Sequence, residues 1–528
     1  MNARSQGSSL RDLVRQGYIG PFWCEGQEIL RRIFVTVRDR RWGEVPPTNF
    51  EYAIDEPAGI ATFNARHTSD EVDFEWRGTL KISENGQELR FSFEGKALRD
   101  MEVCRVGLVV LHPVESMVDA NLAVHSPQGN HRFTVPRLIS PQPLVNGLPQ
   151  GMTEPFSDLV IERPDFGKLE LRFAGDLFEL EDQRNWGDAS FKTYCTPLRL
   201  GFPRKVEAGA SILHSLEAVF VPAQTRVRPS PPKKAGRTRF PMIKRESPLL
   251  DVSKPDDMTS LRSVLASPSP TKAELRVELG TGLDFPLDLV ALLSRYNERI
   301  ERLLICGPGT SLPPPQAIQR LRQKLESSGS LNFPLVAATR GYFVELNRGG
   351  KFEAPVTGVG FPLTATVHGD DPETITENVA ALVDIAETAR HLTGVSEIVI
   401  SPLALYHPRA ANESRFPKVL VRPWLAATLV HAALAGVTSI TLAADLLEAL
   451  DSGGVALMAS LLECAGLDVE PVHLPLPAGM HALTFVSKGS EPARMLVANL
   501  NSEAASLTLD KRDVRVPPYG VMWIEPAR

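Results

Sequence analysis

Between residues 271 and 470 short apolar runs alternate with longer amphipathic stretches, and this alternation constrains the fold more than any other feature of the chain. The runs LRVEL (275 to 279), RLLIC (302 to 306), LVAAT (335 to 339), GVGFPLTAT (358 to 366), EIVIS (397 to 401) and TSITLA (438 to 443) have the length and composition of buried strands. PLDLVALLSRYNERI, PPQAIQRLRQKLES, TITENVAALVDIAETARHL and an Ala/Leu stretch over 424 to 435 fall between them with helical spacing. Strand then helix, repeated, requires a parallel sheet, because parallel neighbours are joined only by a crossover. Six such runs are fewer than the eight strands of a closed (β/α) barrel, and no GxGxxG follows the first. An open doubly wound sheet and a TIM-type barrel both fit the pattern.

Residues 1 to 225 obey a different period. ILRRIFVTVRD, DFEWRGTLKISENGQELRFSFEGKA, CRVGLVVLHP, DLVIERPDFGKLELRFAG and LHSLEAVFV alternate as half-buried strands do, and Glu84-Asn85-Gly86 marks a hairpin. Many short strands jointed by Gly, Pro and Asn predict an antiparallel β-sandwich. Residues 226 to 270 concentrate prolines and, over RVRPSPPKKAGRTRFPMIKRESP, eight Lys or Arg against one Glu, which reads as a linker. The tail, 471 to 528, offers MHALTFVSK, ARMLVANLN, ASLTLD and VRVPPYGVMWIE, four alternating stretches that predict a small C-terminal β domain. The expected organisation is therefore a sandwich (1–225), a Pro/basic linker (226–270), a parallel α/β domain (271–470) and a β tail (471–528).

With 528 residues the chain exceeds a single core, and 43% hydrophobic with 23% charged residues is ordinary for a globular protein. A net charge of −6 gives no reason to expect nucleic acid, and the basic stretch lacks base-stacking aromatics. Five scattered cysteines with no CxxC suggest neither a disulfide framework nor a zinc knuckle, and fit a reducing cytoplasm. The first residues, MNARSQGSSLRDLVRQG, have no apolar core of a secretory signal. Pro423 to Ala444 is free of ionised side chains, but Gly436 separates an Ala/Leu helix from a β-branched run, so helix, turn and buried strand are expected there and no membrane span.

Chemically capable residues crowd Phe178 to Tyr194, FELEDQRNWGDASFKTY, where Arg184, Asn185, Asp188 and Lys192 interleave with Trp186 and Phe191. Such a mixture suits a carbohydrate-like ligand, since polar groups bond hydroxyls and an indole covers the apolar face of a sugar ring; a turn tied by ion pairs would gather the same residue types. In a barrel the residues just after each strand form the active face. Three places qualify: Arg340, Tyr342, Glu345, Asn347 and Arg348; His368, Asp370 and Asp371; and Tyr406, His407 and Arg409. Glu345 with Arg348 could equally form a rim ion pair, and Asp371 could cap the helix that follows. No HxH, HExxH or two-His-one-carboxylate spacing suggests a catalytic metal.

EDQRNWGDASFKTY resembles the signature of the D-apionate lactonase family of sugar-lactone hydrolases. IFVTVRDRRWGEVPP (33 to 47), CRVGLVVLHP (104 to 113), ISPQP (139 to 143), GYFVELNR (341 to 348) and TVHGDD (366 to 371) resemble further family segments in the same order. The resemblance implies an N-terminal β-sandwich, a central TIM-type barrel and a small C-terminal β domain, acting as a hydrolase that opens an aldonolactone such as D-apionolactone to its acid. Opening a lactone takes a base for water, a donor for the oxyanion and an acid for the leaving oxygen. The resemblance accordingly points to Glu345, His368 and Asp371 as catalytic, and to Arg184, Asn185, Trp186, Lys192, Tyr342, Asn347 and Arg348 as substrate-binding. No cofactor or metal is implied, and the only partner implied is a small sugar lactone or acid. The chain departs from the family where members carry aromatics and a Glu on a late strand: here Ala443 and Ala444 stand, with Asp445 beside them. That departure keeps two alternatives open, a barrel that binds a sugar acid without turnover and a glycoside hydrolase-like enzyme.

Overall fold

A computed structural model of the chain describes residues 9–224, 236–245, 249–252, 254–267, 272–279, 285–406, 416–486, 494–509 and 512–525. Its contacts divide it into two units, Met1–Gln183 with Ala189–Pro231, and Arg184–Asp188 with Pro232–Arg528.

The first unit is all β, as its period-2 pattern predicts. A nine-stranded antiparallel sheet contains Ile60–Thr68, Asp73–Ile82 and Glu88–Ala97, whose residues alternate buried and exposed almost without exception. The hairpin expected at Glu84-Asn85-Gly86 joins the last two, with Gly86 at φ +67°, a conformation that costs a residue without Cβ nothing. A second sheet of seven strands is built on Arg32–Asp39 and Met101–Pro113. Phe63, Phe91, Leu108, Phe178 and Phe191 join both sheets in one hydrophobic core, each such side chain stabilising the fold by about 1.5–3 kcal/mol through removal from water. This is the sandwich.

In the second unit eight parallel strand segments form one path, from Met242–Arg245 through Ser439–Leu442, Glu397–Leu403, Gly358–Leu363, Leu335–Ala338, Ile300–Cys306 and Ala273–Glu278 to Leu249–Asp251. The two end segments run in the same direction and are only three residues apart in sequence, whereas a crossover between parallel neighbours needs about ten residues or more. They form the two ends of the path, Met242–Arg245 pairing with Ser439–Leu442 and Leu249–Asp251 with Ala273–Glu278. This corrects the linker reading of 226–270. Residues 225–235 lie outside the described residues, but Met242–Arg245 and Leu249–Asp251 are strands of this path and Pro255–Ala266 is a helix. Proline misled the reading, because a helix takes Pro at its first position without losing a hydrogen bond.

The remaining corrections concern helices. GYFVELNRGG contains the helix Phe343–Gly349, and TITENVAALVDIAETARHL is two helices, Pro372–Asn378 and Ala381–Thr393. Pro423 lies inside the helix Lys418–Leu434, which hands over at Gly436 (φ +64°) to the strand Ser439–Leu442, as expected. Among the described residues no helix is long and apolar enough to cross a membrane. The tail forms an antiparallel sheet of Asp468–Pro471, Met480–Phe485, Arg494–Asn499 and Val521–Ile524, joined by Thr238–Arg239, with a separate hairpin Ala505–Leu509/Arg512–Val516. It has its own small cluster around Val497, Leu507 and Val516, yet it belongs to the same unit as the barrel.

Buried histidines make the fold acid-sensitive. Burial lowers His112 to about 3 and His214 to about 4 in the sandwich. In the second unit, burial and then the neighbouring ring lower His431 to about 3, and burial lowers His481 to about 4; the two rings share a 3.0 Å hydrogen bond. An unfolded histidine titrates near 6.5, so each group's contribution is complete above that pH and is lost as pH falls from there toward 4. Each histidine then costs roughly 1 kcal/mol per pH unit. Melting temperature should fall by several degrees between pH 7 and pH 5, and a flat profile would contradict this.

Candidate active site

The chemically dense stretch is divided between the two units. Its flanks, Glu179–Asp182 and Ser190–Tyr194, pair as antiparallel strands of the sandwich, from Glu179↔Tyr194 to Asp182↔Phe191. Between them Gln183–Trp186 forms a 3-10 turn and Gly187 takes φ +97°, where a Cβ would also come 3.2 Å from Leu363 Cδ1. Arg184–Asp188 belong to the second unit.

Two contacts anchor this short segment there. The guanidinium of Arg184, wholly buried, donates from Nη1 to Asp384 Oδ2 at 2.8 Å, on the helix Ala381–Thr393. Asn347 Nδ2 donates to Asn185 Oδ1, also at 2.8 Å. Removing one member of a buried pair strands the other, at a cost of about 3–5 kcal/mol, less here because Asp384 is 24% exposed. Arg184→Met should therefore lower the unfolding free energy by roughly 3 kcal/mol, read from denaturant midpoints. A change below about 0.5 kcal/mol would contradict the anchoring role.

The anchored segment delivers Asp188 to His368. His368 Nδ1 lies 2.5 Å from Asp188 Oδ2, and Asn378 Nδ2 donates to the other carboxylate oxygen at 3.0 Å and to the Ala365 carbonyl at 3.1 Å. An ionised carboxylate only accepts, so the Nδ1 of a neutral imidazole must carry the proton and Nε2 the lone pair. Exposure is graded along the pair, with 5% at the Asp188 side chain and 20% at His368. A buried carboxylate thus fixes the tautomer of an imidazole that reaches solvent, the arrangement of a general base.

Aromatic and cationic groups border this dyad. The Trp186 ring stands edge-on to His368 at 5.9 Å and 6.1 Å from Tyr342, and the Arg348 guanidinium lies 5.6 Å from the Trp186 ring centre. Trp186 Nε1 is buried with no hydrogen-bond partner among the described residues. Tyr342, Glu345, Asn347 and Arg348 come from one element, because the helix Phe343–Gly349 starts directly after the strand Leu335–Ala338 and its cap. Arg348 Nη1 pairs with Glu345 Oε1 at 2.9 Å, and Gly341 leaves the space in which Glu345 lies, since a Cβ there would come 2.4 Å from Glu345 Cγ.

Of the residues expected at a site, His368, Trp186, Tyr342, Arg348 and Glu345 are therefore linked contact by contact in the second unit, while Arg184 pairs with Asp384 and Asn185 with Asn347 in that same unit. Lys192 is not in it: its ammonium is in the sandwich, 2.7 Å from Glu181, because strand alternation turns it away from the loop it follows. Asp371 caps the helix Pro372–Asn378, accepting from Thr374 N at 2.9 Å and Thr374 Oγ1 at 2.6 Å, the alternative its sequence position allowed. His407 and Arg409 lie outside the described residues. Asp445, beside the departing Ala443 and Ala444, accepts the amides of Leu405, Tyr406 and Leu446 at 2.7–3.2 Å and so shapes backbone. Sequence reasoning named Asp188 in the dense stretch without giving it a role and missed Asn378; 180 positions separate Asp188 from His368, and no spacing rule links them.

One further donor set was not expected. Asp176, Cys195 and His214 in the sandwich lie close enough to share an ion. Their atoms already serve one another and the backbone: Cys195 Sγ is 3.3 Å from His214 Nδ1, which also accepts from Leu108 N at 3.3 Å, and Arg204 donates to Asp176. Burial pushes the Cys195 thiol well up, away from the thiolate a metal would require.

Two family models match separate parts of the chain. The model of the D-apionate lactonase N-terminal domain matches residues 3–221, and that of the D-apionate lactonase TIM barrel domain matches residues 263–417. The chain belongs to the D-apionate lactonase family. It is a divergent member: a D-apionate lactonase of Brucella anthropi is 31% identical over 201 residues, a match spanning 37% of this chain and 31% of that protein. Among solved structures, the GH36 α-galactosidase AgaA from Geobacillus stearothermophilus aligns over 93% of this chain and 88% of its own at 10% identity and a TM-score of 0.26. A putative aldose 1-epimerase of Escherichia coli K12 aligns over 39% of this chain and 92% of its own at 11% identity and a TM-score of 0.26. Likenesses this distant carry no functional argument.

Proposed function

We propose that the chain is a lactonase that opens a D-apionolactone-like aldonolactone to the sugar acid, as a cytoplasmic step of carbohydrate catabolism. The observation that carries this reading is the His368–Asp188 dyad set against the Trp186 ring. Water attacks the lactone carbonyl while His368 Nε2 removes its proton, and Asp188 steadies the imidazolium that forms. Negative charge then collects on the carbonyl oxygen, where the donors at hand are the Arg348 guanidinium and the Trp186 N–H, which has no partner among the described residues. Collapse of the tetrahedral intermediate breaks the acyl–oxygen bond, and His368 returns the proton to the departing ring oxygen. The product is a hydroxy acid. Trp186 and Tyr342 offer aromatic faces for the apolar side of the sugar ring, and Arg184, Asn185 and Asn347 hold the segment in place.

Glu345, engaged by Arg348, serves in this scheme to orient the guanidinium. The test is a panel of aldonolactones followed by proton release at constant pH, with the acid identified by carbon NMR. Hydrolysis of at least one lactone well above the buffer rate is expected; buffer rates throughout would end the reading.

A further inference from the structure

Arg105 is a buried charge that meets no carboxylate in an ion pair among the described residues; burial pushes the Glu179 carboxyl up, and Arg105 acts on it only through its field, drawing it down less strongly. It is 6% exposed, and Nη1 has no hydrogen-bond partner among the described residues. Its guanidinium lies 3.5 Å from the centre of the Tyr194 ring and 5.8 Å from that of Trp42. Aromatic faces soften such burial but do not replace an anion, and an uncompensated interior charge is otherwise selected against by its desolvation cost.

The surroundings add positive charge. Arg105 stands directly opposite Arg38 across the strand pair Arg32–Asp39/Met101–Pro113, and like charges in that position repel. A register shift between Val103 and Arg105 re-aims the strand at this point. Lys192 Nζ is 5.0 Å from the Tyr194 ring; its pKa is lowered by burial, against the pull of Glu181 and with the push of Arg105. The acids of this face are engaged elsewhere. Glu181 takes Lys192 at 2.7 Å and Gln142 at 2.6 Å, Glu179 takes the Tyr194 hydroxyl at 2.5 Å, and Glu44 takes Arg38 at 3.1 Å. Trp42, half-buried, is held at φ +71°, a conformation that costs a bulky residue about 1–3 kcal/mol and that collects at ligand clamps. The Arg38 guanidinium donates to the Trp42 carbonyl at 3.1 Å and keeps it there.

We infer that Arg105, with Arg38, Lys192 and Trp42, forms an anion site in the N-terminal unit that takes the carboxylate of a small hydroxy acid. The guanidinium meets the carboxylate in a two-pronged hydrogen bond, and the indole of Trp42 covers the carbon chain. This site uses none of the residues of the His368 dyad and stands whether or not the chain is a lactonase.

Calorimetry on the full chain tests it, with sodium gluconate as the probe, glucitol as its neutral counterpart and inorganic phosphate as a competing oxyanion. Gluconate should bind with a sub-millimolar Kd, glucitol should not, and phosphate should bind at least ten-fold more weakly. Arg105→Met should weaken gluconate at least ten-fold. Trp186→Ala, at the proposed hydrolytic site, should retain the binding. Should Arg105→Met fail to fold, Trp42→Gly carries the same comparison, since glycine accepts the backbone conformation while the aromatic cover is lost. Absence of gluconate binding, tighter binding of phosphate, or binding that survives Arg105→Met but disappears in Trp186→Ala would overturn the inference.

Discussion

His368→Asn is expected to lower kcat on the best aldonolactone by about 10³-fold, near the middle of the range for loss of a positioned general base. The amide keeps a donor toward Asp188 but has no nitrogen lone pair to receive the proton of water. Because the imidazole is 20% exposed and closes no core, melting temperature should change by no more than a degree or two. The pair of readings is diagnostic. A variant that keeps its rate assigns the base elsewhere, with Glu345 next in line; one that loses rate and stability together makes His368 a structural residue.

Asp188→Asn is expected to be nearly as severe, roughly 10²-fold to 10⁴-fold in kcat, although the residue touches no substrate atom in the scheme. Its carboxylate accepts from both His368 Nδ1 and Asn378 Nδ2. An asparagine that turns its oxygen to Asn378 turns its amino group to His368, and so favours the tautomer with the proton on Nε2, where water needs a base. Nitrogen chemical shifts of the His368 ring would read that change directly, and KM should move far less than kcat. The double variant with His368→Asn should be hardly slower than the single ones, because the two groups act as one unit. Additive losses would show that they act separately.

These expectations rest on a geometry of which the sequence showed only one half. The β-sandwich and the strand–helix alternation were legible because burial on one face imposes period 2, and burial between helices imposes continuous apolar runs. The first two strands of the parallel sheet were not, since Met242–Arg245 and Leu249–Asp251 are short, mixed in charge and flanked by prolines, and only pairing with Ser439–Leu442 and Ala273–Glu278 reveals them. At the site, His368 could be singled out as a polar residue just past a strand. Asp188 could be named only as one of several capable residues of the dense stretch, because nothing in the sequence links it to a histidine 180 positions away. Lys192 shows the converse, four residues from Asp188 in sequence yet fixed by strand alternation to a different network. The departure at Ala443 and Ala444 is compatible with a working site: Ala443 caps a helix and Asp445 holds backbone, so the residues after this strand contribute structure while the dyad's histidine follows a different strand, Gly358–Leu363.

In the proposed reaction water, activated by His368, attacks the lactone carbonyl and no acyl group passes to the protein. A single turnover in ¹⁸O-enriched water, with enzyme in excess over the aldonolactone, measures this most directly. One ¹⁸O atom is expected in the carboxylate of the acid from the first turnover and none in the hydroxyl released from the ring. An unlabelled carboxylate in that first turnover, which a nucleophilic Asp188 or Glu345 would produce, or label in the hydroxyl, would contradict it.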